Sequence, residues 1–213
     1  MTRTRIKICG ITNSRDAEFA VASEADALGF QLYEKSPRYI DVKIAAGIVN
    51  QLPPYVTSVA LLVNHTSDDV KLLLKEAPFD FLQFHGDETD EFCCSFGMPF
   101  IKAIRVEKPI DLEVQVARFP HSKGILLDTF VEGEYGGTGK TFHWPEVPDI
   151  SKPVVLAGGL TPGNVRQAIE QMRPFAVDVS GGVESEKGIK DHEKISNFIR
   201  AVRAADGEVN SER

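Results

Sequence analysis

The sequence predicts an α/β protein that folds as a single (β/α)8 TIM barrel, and three observations lead to this fold class. Apolar, β-branched runs alternate with helical patterns along all 213 residues, and eight such runs can be counted. The runs start roughly 20 to 30 residues apart, which is the size of one strand followed by one helix. Two glycine-rich segments follow the last two runs, where barrels of this class often bind phosphate.

Each apolar run is a predicted strand of the barrel. The eight ranges are 5–9, 26–32, 57–63, 79–84, 99–105, 123–128, 153–158 and 174–179. Such units can form an open or a closed parallel sheet. An open doubly wound sheet carries its glycine-rich turn after the first strand. Here the first turn lacks G-x-G-x-x-G and the glycine pairs come last, which favours the closed barrel.

Helices are predicted in the segments between the strands. Asn13, Ser67 and Thr161 are of the types that cap helix N-termini, and each stands before a helical pattern. Residues 191–204 have the apolar spacing of an amphipathic closing helix. The prediction is one catalytic domain over residues 1–205, followed by a polar C-terminal tail over 206–213.

Composition and charge exclude several classes of function. Hydrophobic residues make up 42% and charged residues 26%, as in ordinary globular domains. The net charge of −7 argues against a nucleic-acid surface. Neither a signal peptide nor a membrane-length apolar segment is recognisable. We therefore expect a cytoplasmic monomer or homodimer whose partner is a small molecule, not a nucleic acid or a membrane.

Cysteine usage points to reduced thiols. The three cysteines are Cys9, Cys93 and Cys94, and an odd count with an adjacent pair does not form a disulfide framework. Cysteine and histidine show no metal-ligand spacing. We expect neither a metal nor a cofactor.

The two glycine-rich segments predict a phosphate site. Gly158 and Gly159 follow the seventh strand, and Ser180, Gly181 and Gly182 follow the eighth. Glycine lets a backbone N–H group approach an anion with no Cβ in the way. A phosphorylated small molecule is the substrate class that this pattern favours.

Two residues at strand ends are suited to acid–base chemistry. Cys9 ends the first strand and Asp128 ends the sixth. A thiolate and a carboxylic acid can act as base and acid when protons move within a sugar. Considered separately, Cys9 fits a small buried apolar residue better than a base, and Asp128 fits a helix or loop cap as well as an acid.

Strand alternation places further polar residues near Cys9. Lys7 lies on the same side of the first strand as Cys9, and Asp178 points inward from the eighth strand. We predict that Lys7 and Asp178 pair beneath the site, that Asp178 is also one of the substrate-binding residues, and that the ammonium group favours the Cys9 thiolate. A structural ion pair without effect on Cys9 is the alternative.

Three other polar residues are candidates near the same rim. Arg38, after Ser36-Pro37, has a guanidinium fork that can hold a carboxylate at two points, although a solvated arginine is the alternative. Gln83 and His85 share one side of the fourth strand. His85 is predicted either to contact substrate or to be hydrogen-bonded at the edge of the core.

The long connection over residues 129–142 is a candidate lid, because it is glycine-rich and follows a strand end. Its segment Gly136–Thr141 partly resembles a nucleotide-binding P-loop. That motif would need glycine at position 134, where the chain has Glu134. The nucleotide interpretation is therefore rejected.

Seven sequence blocks together resemble the phosphoribosylanthranilate isomerase family. They are Lys7–Gly10, Ser36–Tyr39, Gln83–Gly86, Leu127–Thr129, Gly136–Thr141, Leu156–Leu160 and Asp178–Glu184. Each block is weak alone, but in this order they extend from the first strand to the eighth.

The resemblance implies an enzyme that converts N-(5-phosphoribosyl)anthranilate to 1-(2-carboxyphenylamino)-1-deoxyribulose 5-phosphate in tryptophan biosynthesis, by an Amadori rearrangement without a cofactor. It implies Asp128 as general acid, Cys9 as general base and Arg38 as the partner of the anthranilate carboxylate. The phosphate would be held by backbone amides around the residues Gly158, Gly159, Ser180, Gly181 and Gly182.

Two other functions stay open at this stage. One is another phosphosugar isomerase, epimerase or Schiff-base aldolase on the same barrel, the last with Lys7 or Lys102 as its lysine. The other is a phosphate-binding barrel without catalytic activity, against which the presence of both Cys9 and Asp128 argues.

Overall fold

Eight parallel strands hydrogen-bond in chain order, and the eighth pairs with the first, so that the sheet closes into a barrel. This computed structural model describes residues 3–106, 111–128, 150 and 152–211. The strands are β1 Arg5–Cys9, β2 Ala27–Gln31, β3 Thr57–Leu62, β4 Phe81–Phe84, β5 Phe100–Arg105, β6 Gly124–Asp128, β7 Val154–Ala157 and β8 Ala176–Val179. The predicted closed (β/α)8 barrel and its eight strands are confirmed.

Within the described ranges, a helix follows every barrel strand except β6. The helices are α1 Ser14–Ala22, α2 Val42–Val49, α3 Ser67–Glu76, α4 Asp90–Cys94, α5 Leu112–Ala117, α6 Val165–Met172 and α7 His192–Ser211. After β8 come a 3-10 turn over Gly181–Val183 and a short hairpin of β9 Glu184–Glu186 and β10 Ile189–Lys190. The candidate lid, including Gly136–Thr141, lies outside the described residues.

The predicted helix caps are partly right. Asn13 caps α1 and accepts a hydrogen bond from the amide of Asp16 at 2.9 Å. The cap of α3 is Thr66, not Ser67, because Thr66 completes a capping box with Asp69. Helix α6 begins after Asn164, because the backbone from Thr161 first makes a separate turn.

The last helix is longer than predicted. Helix α7 continues through Ser211, so the predicted start of the polar tail at residue 206 falls inside a helix. The carboxylate of Asp206 accepts hydrogen bonds from the Thr4 amide at 3.1 and 3.0 Å and from its hydroxyl at 2.7 Å. This long-range contact ties the predicted tail to the start of β1.

The apolar core has two layers that fix which way the strand residues face. Ile6 and Ile8 belong to the large cluster between strands and helices, together with Phe198 of α7. Lys7 and Cys9 therefore face the barrel interior. A smaller cluster fills the interior and contains Ala103, Leu126, Val155, Ala157 and Ala176. Asp128 shares the parity of Leu126, so its side chain also leaves β6 on the inner side.

None of the helices in the described ranges has both the length and the apolar character that a membrane crossing requires.

Candidate active site

The carboxyl ends of the parallel strands meet at one rim of the barrel, and the predicted acid and base both lie at this rim. Cys9 is the last residue of β1, and Asp128 is the last residue of β6. These strands are separated by β7 and β8 around the closed ring. The two side chains therefore approach the mouth of the barrel from different sides, as catalytic residues of such barrels do.

Beneath the rim, Lys7 and Asp178 form the predicted ion pair. The register of β1 and β8 sets the two residues opposite each other, and Lys7 Nζ lies 3.1 and 3.0 Å from the two carboxylate oxygens. Each carboxylate oxygen of Asp178, a predicted substrate-binding residue, thus lies within hydrogen-bonding distance of Lys7. Burial lowers the pKa of Lys7, but the charges of Asp178 and Cys9 raise it more, so its net pKa lies above the usual value.

The Cys9 thiol is less acidic than an ordinary cysteine thiol. Burial raises its pKa, and the nearby Lys7 ammonium lowers it without cancelling the effect of burial. Asp178 adds a smaller contribution in the raising direction. The predicted direction of the Lys7 effect is right, but burial outweighs it, so the net pKa of Cys9 lies above its usual value. The physical reason is that a 7% exposed residue loses most of the hydration that a thiolate needs.

A glycine in the neighbouring strand makes room for this pair of side chains. A Cβ atom at Gly29 of β2 would lie 2.7 Å from Cys9 Sγ and 2.9 Å from Lys7 Nζ. Any other residue there would displace the candidate base. Sequence reasoning missed Gly29, although a glycine inside a strand often marks such a close approach.

Asp128 is linked to β4 through a short hydrogen-bonded chain. His85 Nε2 lies 3.2 Å from Asp128 Oδ2, and Gln83 Nε2 lies 3.2 Å from His85 Nδ1. Because an amide nitrogen can only donate, Nδ1 accepts, and a neutral His85 then donates from Nε2 to the carboxylate. Gln83 is fully buried, whereas Asp128 and His85 keep 23% and 21% of their side chains exposed. The acid candidate is therefore oriented by His85 and Gln83, while part of its side chain stays accessible to solvent.

The two predicted phosphate turns pack directly against each other. Gly158 and Gly159 have φ values of 84° and 64°, which few residues other than glycine adopt. A Cβ atom at Gly182 would lie 1.8 Å from the carbonyl oxygen of Leu160, so no other residue fits there. The amides of Gly159, Gly181 and Gly182 donate no hydrogen bond to any described residue. We call these three N–H donors the anion cradle, because such a group is suited to binding an anion.

The hydroxyl group of Ser180 adds a further polar atom beside this cradle. Its Oγ atom is buried and has no hydrogen-bond partner within the described ranges. It lies 2.9 Å from where a Cβ atom of Gly10 would be. A buried hydroxyl without a partner is costly, and a bound ligand that accepts a hydrogen bond would satisfy it.

Arg38 reaches the same rim, but part of its guanidinium fork is already bound. Its Nε and Nη2 atoms lie 2.7 and 2.8 Å from the two carboxylate oxygens of Glu184. Burial raises the pKa of Glu184, but Arg38 and Lys190 lower it more, so the carboxylate stays charged. Sequence reasoning missed Glu184 as a partner, because the two residues are far apart in the chain. A carboxylate on the substrate can bind only those guanidinium N–H groups that do not donate to Glu184.

Lys102 is not available for Schiff-base chemistry in the barrel. It lies on the helix side of β5, because Ile101 and Ala103 face the interior, and its Nζ atom is 2.7 Å from Glu88 Oε2. Of the two lysines considered for an aldolase, only Lys7 faces the interior, and it is bound to Asp178.

Away from the predicted site, the fold brings together Asp90, Cys94 and His121. Their potential metal-ligand atoms lie within 4.8 Å of one another, which sequence spacing could not indicate, since His121 comes from a separate turn. His121 Nδ1 is hydrogen-bonded to Asp90 Oδ2 at 2.6 Å, and this contact explains the cluster without an ion.

Comparison with known proteins gives matches over nearly the whole chain. The family model for N-(5'-phosphoribosyl)anthranilate (PRA) isomerase matches residues 6–201. An N-(5'-phosphoribosyl)anthranilate isomerase of Pseudomonas fluorescens (strain SBW25) is 52% identical over 208 residues, covering 97% of this chain and 99% of that protein.

Two crystal structures show the same fold. Phosphoribosyl anthranilate isomerase from Thermotoga maritima has a TM-score of 0.82 and 42% identity, covering 94% of this chain and 99% of that one. A phosphoribosyl anthranilate isomerase in complex with reduced 1-(o-carboxyphenylamino)-1-deoxyribulose 5-phosphate has a TM-score of 0.80 and 39% identity, with coverages of 94% and 99%. With matches that run from the first strand into the last helix, this chain belongs to the PRA isomerase family.

Proposed function

We propose that this chain catalyses the Amadori rearrangement of N-(5-phosphoribosyl)anthranilate, with Asp128 as general acid and Cys9 as general base. The observation that carries the proposal is the meeting of three features at one rim: a thiol at the end of β1, a carboxyl group at the end of β6, and the glycine turns after β7 and β8. The substrate offers a phosphate for the turns and a sugar for the acid and base.

The first step is the opening of the ribose ring. Protonated Asp128 donates its proton to the ring oxygen while the lone pair of the anthranilate nitrogen forms a C=N bond at C1. The bond from C1 to the ring oxygen breaks, and a protonated Schiff base results. The hydrogen bond from His85 to Asp128 supports this role, because it strengthens as the carboxylate charge develops.

The second step moves the proton from C2. The Cys9 thiolate takes this proton, and the electron pair of the C–H bond forms the C1=C2 bond of a neutral enolamine. The enolamine then tautomerises to the ketone. Burial disfavours the thiolate in the free protein, whereas the positive charge of the Schiff base and the ammonium group of Lys7 both favour it.

The activity test follows the decay of anthranilate fluorescence with chemically generated phosphoribosylanthranilate. We expect the purified chain to convert the substrate without any added cofactor. Absence of turnover in a correctly folded preparation would contradict the proposal.

Lys7→Met is expected to lower kcat/KM near neutral pH by roughly ten- to hundredfold, since a nearby opposite charge shifts a pKa by about 1–2 units. The Lys7 charge lowers the pKa of Cys9, so its removal raises that pKa and reduces the thiolate fraction. The alkaline rise in kcat/KM should therefore move to higher pH, and the loss should shrink as pH increases. The measurement is the pH profile of kcat/KM.

Asp178→Asn is the matched control for that experiment. The Asp178 charge raises the pKa of Cys9, so its removal should move the alkaline rise in the opposite direction. If the alkaline rise in kcat/KM moved in the same direction and by the same amount in both variants, the ion pair would act only through the fold.

Arg38→Ala is expected to raise KM by roughly ten- to hundredfold with a smaller change in kcat, since hydrogen bonds between charged groups contribute about 1.5–3 kcal/mol. The reason is the loss of the partner proposed for the anthranilate carboxylate. Steady-state kinetics and thermal unfolding should be measured together, because Glu184 also loses a partner. A folded variant with unchanged KM would remove Arg38 from the binding site.

A further inference from the structure

A buried ion network that the proposed proton transfers do not use lies beneath both anion-binding elements. Oε1 of Glu184 accepts hydrogen bonds from both Arg38 Nε, at 2.7 Å, and Lys190 Nζ, at 3.0 Å. The side chains of Glu184 and Lys190 are 5% and 0% exposed. Burial of such charges is costly, so an arrangement of this kind contributes little to stability by itself. Its geometry, however, fixes two groups at the rim.

The first of these groups is the guanidinium fork of Arg38. A guanidinium has five N–H donors, and Glu184 accepts from Nε and from one side of Nη2. Glu184 does not contact the edge formed by Nη1 and the second N–H of Nη2. This edge can bind another carboxylate at two points. A Cβ atom on Gly181 would lie 3.1 Å from Nη2, so the fork is held directly beside the phosphate turn.

The second group is the backbone amide of Gly181. Lys190 Nζ donates to the carbonyl oxygen of Ser180 at 3.2 Å, and the Val183 amide donates to the same oxygen at 3.3 Å. In a trans peptide the C=O and the N–H of the following residue point in opposite directions. Lys190 thus fixes the Ser180 carbonyl together with the Val183 amide, and the Gly181 N–H therefore points away from the buried network.

The backbone of Lys190 is held by a second set of contacts. Its backbone amide donates to Asp16 Oδ2 at 2.9 Å, and the other oxygen of Asp16 lies 3.0 Å from His192 Nε2. Asp16 is in the first turn of α1, and His192 opens α7. The lysine thus has a rigid frame from which it can orient the turn after β8.

We infer that Glu184 and Lys190 are positioning residues, Glu184 for the carboxylate-binding edge of Arg38 and Lys190 for the phosphate-binding amide of Gly181. The two anion-binding ends of the site are thereby built on one buried network. This inference rests on the proposed function for the nature of the ligand.

The test measures binding by calorimetry with two probes. Reduced 1-(o-carboxyphenylamino)-1-deoxyribulose 5-phosphate carries both a carboxylate and a phosphate, whereas ribose 5-phosphate carries only the phosphate. Glu184→Gln should weaken binding of the first probe roughly tenfold, as expected when a supporting residue is lost, and leave ribose 5-phosphate within about twofold. Lys190→Met should weaken ribose 5-phosphate roughly tenfold.

Two exposed residues of the same hairpin supply matched controls. Glu186→Gln and Lys187→Met make the same chemical changes at solvent-exposed positions and should bind both probes like the wild type. Wild-type affinity in Glu184→Gln and Lys190→Met would overturn the inference. If Glu184→Gln does not fold, Glu184→Asp keeps the charge and should still weaken the carboxylate probe, because the shorter side chain withdraws from Arg38.

A double mutant separates positioning from a general effect on the fold. If Glu184 acts through Arg38, Glu184→Gln should add little to the loss caused by Arg38→Ala, whereas additive losses would contradict the inference. In turnover assays Glu184→Gln should raise KM more than it lowers kcat. Probe binding needs no turnover, so a wild-type chain that binds but does not react would contradict the proposed function alone.

Discussion

Cys9→Ser is expected to reduce kcat by about 10²–10⁴-fold, the usual contribution of a positioned acid or base, and to leave the barrel folded. A serine hydroxyl has nearly the size of the thiol but ionises far less readily, so it cannot take the C2 proton at neutral pH. The space over Gly29 that holds Cys9 Sγ accepts the smaller oxygen without rearrangement. KM should change little, because the substrate's phosphate and carboxylate are bound elsewhere.

The measurement compares kcat and thermal unfolding for Cys9→Ser with those for Cys94→Ser. Cys94 is a partly buried cysteine on α4, outside the rim, and its replacement should leave turnover unchanged. Near-normal turnover by a folded Cys9→Ser enzyme would exclude the thiol as the base.

Features that depend on the alternation of residues along a single strand, or on their position in it, could be predicted from the sequence. The apolar runs identified all eight strands, and alternation within β1 and β8 identified the Lys7–Asp178 pair before the register was known. Strand ends gave Cys9 and Asp128 because parallel strands expose their carboxyl ends at one rim. These inferences need only the two-residue alternation of a strand and the rule that parallel strands end at the same rim.

Contacts between distant side chains were beyond the same reasoning. Glu184 meets Arg38 across 146 positions of sequence, and nothing local to either residue indicates the other. The link from His85 to Asp128 joins β4 to β6, which are not neighbours in the ring. The net pKa direction of Cys9 also depends on its degree of burial, which competes with the Lys7 charge and which a strand pattern does not quantify.

Asp128→Asn is expected to lower kcat by about 10²–10⁴-fold, because an amide cannot deliver a proton to the ribose ring oxygen. The amide oxygen can still accept the hydrogen bond that His85 now gives to the carboxylate, so the side chain should keep its orientation. KM should change much less than kcat. Thermal unfolding close to that of the wild type would show that the loss is chemical.

Trapping with borodeuteride distinguishes the roles of Asp128 and Cys9, since the two act on consecutive steps. In Cys9→Ser the ring still opens, so the Schiff base accumulates and reduction places deuterium at C1. In Asp128→Asn ring opening is blocked, and C1 labelling should not exceed that of an enzyme-free control. The product ketone, by contrast, is labelled at C2. Strong C1 labelling in Asp128→Asn would move the acid role to another group, and His85, 3.2 Å from the carboxylate, would be the first residue to replace.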